Sequence, residues 1–174
     1  MAKNRPQYPI GKLSLPSEIT KTQVKDALGV LKVFPEQLKM LVLSVADKEL
    51  DAQYREGSWT IRQLIHHIAD SHNHCYNRVR WMLTEDNPLI KAYDQDSFAA
   101  MEDYTSAPVA WSLKHIEVLH YKLIKILSSI NEKQWNLTFI HPETNAEVSV
   151  KEMALTYSWH STHHFMHIKN ALIA

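Results

Sequence analysis

Glycine is scarce in this chain, with three residues in 174. So few glycines are unusual for an all-β protein, and they leave no glycine-rich loop of the kind that cradles phosphate groups. Cysteine is rarer still, since Cys75 is the single one in the sequence. It therefore cannot form an internal disulfide. A lone cysteine is typical of a protein from a reducing compartment. These two shortages argue against a nucleotide-binding P-loop and against a disulfide scaffold.

An excess of charge of one sign is also missing, since 19 lysines and arginines balance 19 aspartates and glutamates. A protein that binds nucleic acid by neutralising phosphates needs a basic surplus, and so does a polybasic membrane attachment. No stretch is long and apolar enough to cross a bilayer, and no apolar run follows the first basic residues as in a secretory signal. We therefore expect a cytoplasmic protein that binds neither nucleic acid nor membranes.

The length and a hydrophobic content of 45% suit one domain over residues 1–174. Apolar residues recur at helical spacing in four segments, at about 21–46, 61–83, 109–130 and from 150 to the C-terminus. Capping boxes beginning at Thr60 and Ser149 open the second and fourth of these helices. Pro35 is expected to bend the first. Residues 1–20 indicate an extended arm that lies over the domain or contacts a partner subunit.

The connections between the helices point to a particular arrangement. A crossover at 84–108 is long and lacks a clear period, although a short helical turn is expected near 97–101. Two short apolar runs at 137–140 and 147–148 predict a small β-hairpin before the last helix. Four long helices favour an all-α four-helix bundle, in which the crossover allows the second and third helices to run parallel.

Two histidines in the last helix indicate a metal site. His160 and His164 stand one turn apart, and both fall within the apolar rhythm of that helix, so they face the interior. Buried imidazoles are costly to desolvate without a partner, and a metal ion supplies one. The chain has eleven histidines, so a hydrogen-bonded or surface pair is the alternative. A catalytic zinc site usually has three protein ligands, and a third must come from elsewhere.

The second helix offers candidates for this third ligand. His67 borders the apolar stripe of that helix, whereas His66 is expected to face away from the core. His72 lies within the stripe and remains a rival, although a single interior histidine is usually hydrogen-bonded packing. In the last helix, His163 is expected to point outward and His167 to be an interior neighbour of the ligands.

Several motifs together resemble the DinB/YfiT-like family, and most closely its YfiT branch. They are YPIG at 8–11, YREGSWTIRQLIHHIADSH at 54–72, LTE at 83–85, YD at 93–94 and WHSTHH at 159–164. The resemblance implies a four-helix bundle that holds one divalent metal with three histidines, which match His67, His160 and His164. It also implies a cytoplasmic homodimer. Many relatives carry glutamine at the position of His167, so no ligand role is transferred to it.

Three neutral imidazoles leave a divalent ion strongly Lewis acidic, so that the pKa of bound water falls to about 7. The resulting hypothesis is a metal-dependent hydrolase acting on a small molecule, with zinc preferred over nickel or ferrous iron. One alternative is a metal-dependent thiol S-transferase similar to bacillithiol transferases. Another is a non-catalytic bundle whose metal has four protein ligands.

The sequence does not assign a catalytic side chain. Asp70 lies one turn from His67 and could orient its second ring nitrogen, although a solvated helix face is the simpler interpretation. Tyr157 lies one turn before His160 and could donate to a substrate oxygen, although core packing with a satisfied hydroxyl is the preferred interpretation.

Overall fold

Four long helices make up most of the structure, a computed structural model that describes residues 7–173. Residues 1–6 of the predicted arm and Ala174 lie outside the described residues. Two short helices, α3 and α4, occupy the crossover between α2 and α5. The helices are α1 Lys21–Val42, α2 Ile61–Thr84, α3 Gln95–Ala99, α4 Glu102–Ser106, α5 Val109–Leu127 and α6 Val150–Ala171. The predicted four-helix bundle is confirmed.

Consecutive long helices do not always pack side by side in this bundle. α1 packs against α5 and α6, and α2 packs against the same two helices, so α1 and α2 lie across the bundle from each other. His66 of α2 bonds Ser112 of α5 at 2.8 Å, and His72 bonds His120 at 2.8 Å. Residue numbers thus rise together along α2 and α5. The two helices run parallel, as the long crossover predicted.

The segments between the helices follow the predictions with local differences. α1 ends at Val42 and not near residue 46, and a 3₁₀-helix at Asp47–Asp51 follows it. The crossover contains two short helices where one turn was predicted, and Asp94 caps the first by accepting from the backbone of Ser97. α5 ends at Leu127, three residues before the predicted end.

The predicted hairpin is present as a two-stranded antiparallel sheet. Its strands are β1 Thr138–Ile140 and β2 Glu147–Ser149, and Phe139 is paired with Val148. Phe139 is 1% exposed and packs into the core, so the hairpin closes one end of the bundle. No helix among the described residues combines the length and the hydropathy that crossing a bilayer requires.

A layer of histidines separates two apolar parts of the core. One cluster comprises Leu31, Cys75, Tyr76, Val79, Met82, Ile90, Leu119, Leu123, Leu127, Phe139, Val150, Met153 and Tyr157. The other comprises Phe34, Leu38, Val42, Leu50, Ile61, Leu64, Ile65, Ile68, Ala69, Ile116, Ile168 and Ala171. Along α6 the histidines lie between Tyr157 of the first cluster and Ile168 of the second, and along α2 His72 lies between Ala69 and Cys75. Burial of both clusters fixes the height at which the histidines of different helices meet.

The described part of the arm, residues 7–20, lies against the same chain. The carbonyl oxygen of Gln7 lies 3.1 Å from Nε2 of His167, and the ring of Tyr8 lies 6.1 Å from that of His163. This matches the first of the two alternatives for the arm. α1 is continuous through Pro35, and a bend at that residue stays a prediction.

A capping box begins α2 and therefore sets where its histidines lie. Thr60 Oγ1 accepts from the backbone N–H of Gln63 at 3.2 Å, and Gln63 Oε1 accepts from that of Thr60 at 2.9 Å. Thr60→Ala removes one acceptor for the first turn, so we expect the free energy of unfolding to fall by about 1 kcal/mol. Urea denaturation with an unchanged m-value measures this loss.

Thr84→Ala is the matched control, because this threonine ends the same helix and its hydroxyl donates to the carbonyl of Arg80. Its substitution is expected to change stability by less than about 0.5 kcal/mol. Equal effects of the two substitutions would contradict the role of the Thr60 cap.

Candidate metal centre

Three imidazole groups meet where α2 passes α6. His67 comes from α2, and His160 and His164 come from successive turns of α6; one ring nitrogen from each lies within 4.8 Å of the others. The Nε2 atoms of His67 and His160 are 3.1 Å apart. Two nitrogens that are each about 2.0–2.1 Å from one zinc ion also lie roughly 3 Å apart. The three side chains therefore fit one divalent ion.

Burial keeps these imidazoles neutral. It lowers the pKa of His67 to about 4, with a smaller contribution from nearby His163. Burial also lowers the pKa of His160 and of His164 well below the usual value, and the neighbouring histidines add to both shifts. Neutral imidazoles carry the lone pairs that metal ions bind, so near pH 7 the three rings can act as ligands.

The three histidines line a cavity of about 470 Å³, a volume typical of small-molecule sites. The cavity is bordered by the arm, by the segment that precedes α2, by helix α3 and by helix α6. Arg55 and Asp96 bring opposite charges to its wall. Its other lining residues are Gln7, Tyr8, Tyr54, Gly57, Ser58, Trp59, Leu64, Gln95, Trp159, His163 and His167. A ligand in this cavity therefore lies beside the three histidines.

A second histidine group shares a member with the first. His163, His164 and His167 also bring ring nitrogens within 4.8 Å of one another. Nε2 of His167 lies 3.1 Å from the carbonyl oxygen of Gln7, and its Nδ1 lies 3.3 Å from Nδ1 of His164. Both nitrogens of His167 therefore have protein partners. The set containing His67 differs in joining two helices, α2 and α6, and it is the set that the resemblance to the DinB/YfiT-like family implies.

Comparison with known proteins places this chain in a family. The sequence pattern of the DinB superfamily matches residues 31–168. The chain belongs to the DinB superfamily. It is 36% identical over 161 residues to YfiT of Bacillus subtilis, covering 92% of this chain and 90% of that one. It is 38% identical to a protein of Oceanobacillus iheyensis over 162 residues, or 93% of each chain. Both relatives bear the name "putative metal-dependent hydrolase".

A solved structure agrees with this assignment. YfiT from Bacillus subtilis, described as a "probable metal-dependent hydrolase with an unusual four-helix bundle topology", superposes with a TM-score of 0.92. The two sequences are 35% identical, and the match covers 95% of this chain and 94% of that one. The predicted resemblance to the DinB/YfiT-like family is confirmed, and metal dependence is implied for this DinB-superfamily chain. The assignment of His67, His160 and His164 as ligands stays a prediction.

Two histidines of this DinB-superfamily protein are buried where the sequence predicted exposure. His66 is 6% exposed and its Nδ1 bonds Ser112 Oγ at 2.8 Å, because the end of the crossover and the start of α5 cover that side of α2. His163 is 7% exposed, and its ring lies 6.1 Å from that of Tyr8 in the arm. Both predictions were wrong because they considered one helix at a time.

The two acid–base hypotheses do not fit the geometry. The Asp70 carboxylate accepts from the Tyr104 hydroxyl at 2.6 Å, while Nδ1 of His67 has no hydrogen-bond partner among the described residues. Tyr157 packs in the core, where burial raises the pKa of its hydroxyl, and it does not line the cavity. Neither residue is placed to act on a ligand in the cavity.

His72 is not a ligand candidate but a hydrogen-bonded core residue. It is 0% exposed, and its two ring nitrogens contact His120 and His160. Sequence reasoning gave no role to His120, which is buried on α5. It also overlooked Trp59, whose ring centre lies 4.7 Å from that of His67. The position of Trp59 directly before the Thr60 cap is the sequence signal that could have indicated this contact.

Proposed function

We propose that this protein is a metal-dependent hydrolase that acts on a small molecule bound in the 470 Å³ cavity. The observation that supports it best is the convergence of three neutral imidazoles on a cavity wall. A divalent ion held by His67, His160 and His164 supplies Lewis acidity, which activates water or a substrate carbonyl. Zinc is the preferred ion, and nickel and ferrous iron also accept imidazole ligands.

The side chains of the protein hold the ion in place and surround the substrate in the cavity. The three ligands come from packed helices, and Trp59, which also lines the cavity, has its ring 4.7 Å from that of His67. Arg55 at the cavity wall can bind an anionic part of a substrate. Asp96, also at the wall, can bind a cationic part. These groups orient a substrate with respect to the three histidines.

A thiol S-transferase on the same metal is the second candidate. The observation in its favour is that the carboxylate nearest to His67 in sequence, Asp70, is engaged by Tyr104. A hydrolase gains from a side chain that removes a proton from water. A thiol binds a metal ion as the thiolate and needs less help from a protein base. Stoichiometric thiol binding that depends on His67, together with conjugation of a model electrophile, supports this candidate.

A purely structural metal is less compatible with this site. Structural zinc sites are closed by four protein ligands, whereas the set facing the cavity has three among residues 7–173. Cytoplasmic location and a homodimer are parts of the proposal that rest on the sequence resemblance. They stay predictions.

Hydrolysis is tested with full-length protein loaded with zinc, nickel or iron and assayed against ester, amide and lactam panels. His160→Ala is expected to lower kcat/KM by at least about 100-fold, because several kcal/mol of charge stabilisation are lost. His115→Ala, which changes an exposed histidine of α5, is the matched control and should keep full activity. Absence of turnover with all three metals, or equal activity of the two variants, would contradict the proposal.

A further inference from the structure

A proline in α1 leaves a backbone carbonyl group free to accept from another helix. Pro35 has no N–H, so the carbonyl of Leu31, four residues earlier, lacks its usual α-helical donor. Nδ1 of His120 on α5 lies 2.7 Å from this carbonyl oxygen. A carbonyl oxygen can only accept a hydrogen bond, so the proton of this contact belongs to Nδ1 of His120.

This assignment propagates through two more histidines. A neutral imidazole has one donor and one acceptor, so Nε2 of His120 accepts from Nδ1–H of His72 at 2.8 Å. Nε2 of His72 in turn accepts from Nδ1–H of His160 at 3.1 Å. Nε2 of His160 is then left with its lone pair, and this atom is the one that faces Nε2 of His67.

The surroundings keep all three rings neutral, which the chain of hydrogen bonds requires. His72 and His120 are 0% and 1% exposed, and their rings stack at 4.9 Å. The ring of Phe34 lies 5.8 Å from one and 5.6 Å from the other. A positive charge on either ring would be buried beside apolar groups without a carboxylate partner, which is strongly unfavourable. Accordingly, burial lowers the pKa of His120 to about 4.

We propose that His72 and His120 are positioning residues that hold His160 with its proton on Nδ1 and its Nε2 lone pair toward the metal. The proposal rests on the metal site proposed above. The chain of hydrogen bonds runs from Leu31 of α1 through α5 and α2 to α6, so the packing of all four long helices sets the orientation of one ligand. His67 differs, because its Nδ1 has no partner among the described residues.

The affinity of the protein for zinc measures how much the chain of hydrogen bonds contributes to metal binding. His72→Phe keeps the ring volume but leaves Nδ1–H of His160 without an acceptor, so we expect zinc binding to weaken about 10–100-fold. His72→Gln supplies a carbonyl oxygen that can accept from His160 and an amide that can donate to His120, so it is expected to recover most of the affinity. Competition with a chromophoric chelator at pH 7.5 (roughly one unit above the ordinary histidine pKa) gives the dissociation constants.

His74→Phe is the matched control on the same helix. Its ring stacks on Tyr93 at 4.3 Å, outside the chain of hydrogen bonds, so zinc affinity should not change. Thermal unfolding of each metal-free variant separates a loss of affinity from a loss of folding.

The tautomers themselves are read from long-range proton–nitrogen correlation spectra of ¹⁵N-histidine-labelled wild-type protein, metal-free and zinc-loaded. We expect His72, His120 and His160 to carry the proton on Nδ1 in both states, whereas free neutral histidine favours Nε2. A wild-type His160 with its proton on Nε2 overturns the inference, even if the His72 variants do not fold. Equal zinc affinity of wild type and His72→Phe also overturns it. Failure of the wild type to bind zinc, nickel or iron contradicts the metal site instead.

Discussion

Lowering the pH from 7 to 5 is expected to reduce the free energy of unfolding of the metal-free protein by at least about 4 kcal/mol. Burial lowers the pKa of His67 and of His120 to about 4, whereas an unfolded chain has histidine pKa values of about 6.5. Between these values the unfolded state binds protons that the folded state excludes. Stability is therefore present above about pH 6.5 and is lost as the pH falls toward 4.

The size of this effect follows from the two shifts. Each of these histidines contributes about 2 kcal/mol to the difference between pH 7 and pH 5, since one pKa unit corresponds to about 1.36 kcal/mol. Burial lowers the pKa of His72, His160 and His164 in the same direction, so the total loss is larger. Domains are stable by about 5–15 kcal/mol, so this loss is a large fraction of the total stability.

Urea denaturation at pH 7, 6 and 5 in the presence of a chelator measures the loss, with the five tryptophans as the fluorescence probe. His120→Gln is the informative variant, because its amide can make the same two hydrogen bonds without titrating. It is expected to retain about 2 kcal/mol more of its pH 7 stability at pH 5 than the wild type does. An equal free energy of unfolding at pH 7 and pH 5 would show that the buried histidines are not neutral.

His160→Ala is expected to reduce the metal content of purified protein from about one ion per chain to nearly none. The side chain supplies the Nε2 atom 3.1 Å from that of His67, and two imidazoles remain without it. Loss of a group that only orients a ligand costs about 10–100-fold in affinity, so loss of the ligand itself is expected to cost more. Elemental analysis of protein purified without an affinity tag measures the content and identifies the metal.

Two comparisons make this measurement specific. His67→Ala and His164→Ala should lose metal to a similar extent, because each removes one member of the same set. His115→Ala should retain it, since this exposed histidine of α5 lies outside the set. If His160→Ala keeps its full metal content and circular dichroism shows a folded helical protein, the three-histidine site is contradicted.

Local signals in the sequence were sufficient to predict the helices and to place the candidate ligands along them. Thr60 and Ser149 each satisfy the first-turn donors of a helix, and that chemistry depends on residues three positions apart. The four-residue separation of His160 and His164 likewise fixes them on one side of α6. The ends of α1 and α5 were predicted a few residues late, because apolar spacing continues beyond the last helical hydrogen bond.

Contacts between distant segments decided what the histidines face. His66 is buried by the end of the crossover and the start of α5, and His163 lies beneath Tyr8 of the arm, so the projection of a single helix misplaced both. The same limit applies to His120, whose partner is a carbonyl group 89 positions away in the chain.

The sequence by itself determined a helical bundle with imidazoles at the right spacing along α2 and α6, because helix periodicity and capping act over a few residues. Only the tertiary structure decided what each ring nitrogen of His160 contacts. Those contacts belong to a chain of hydrogen bonds through His72 and His120 to Leu31, which forms only when all four helices are packed.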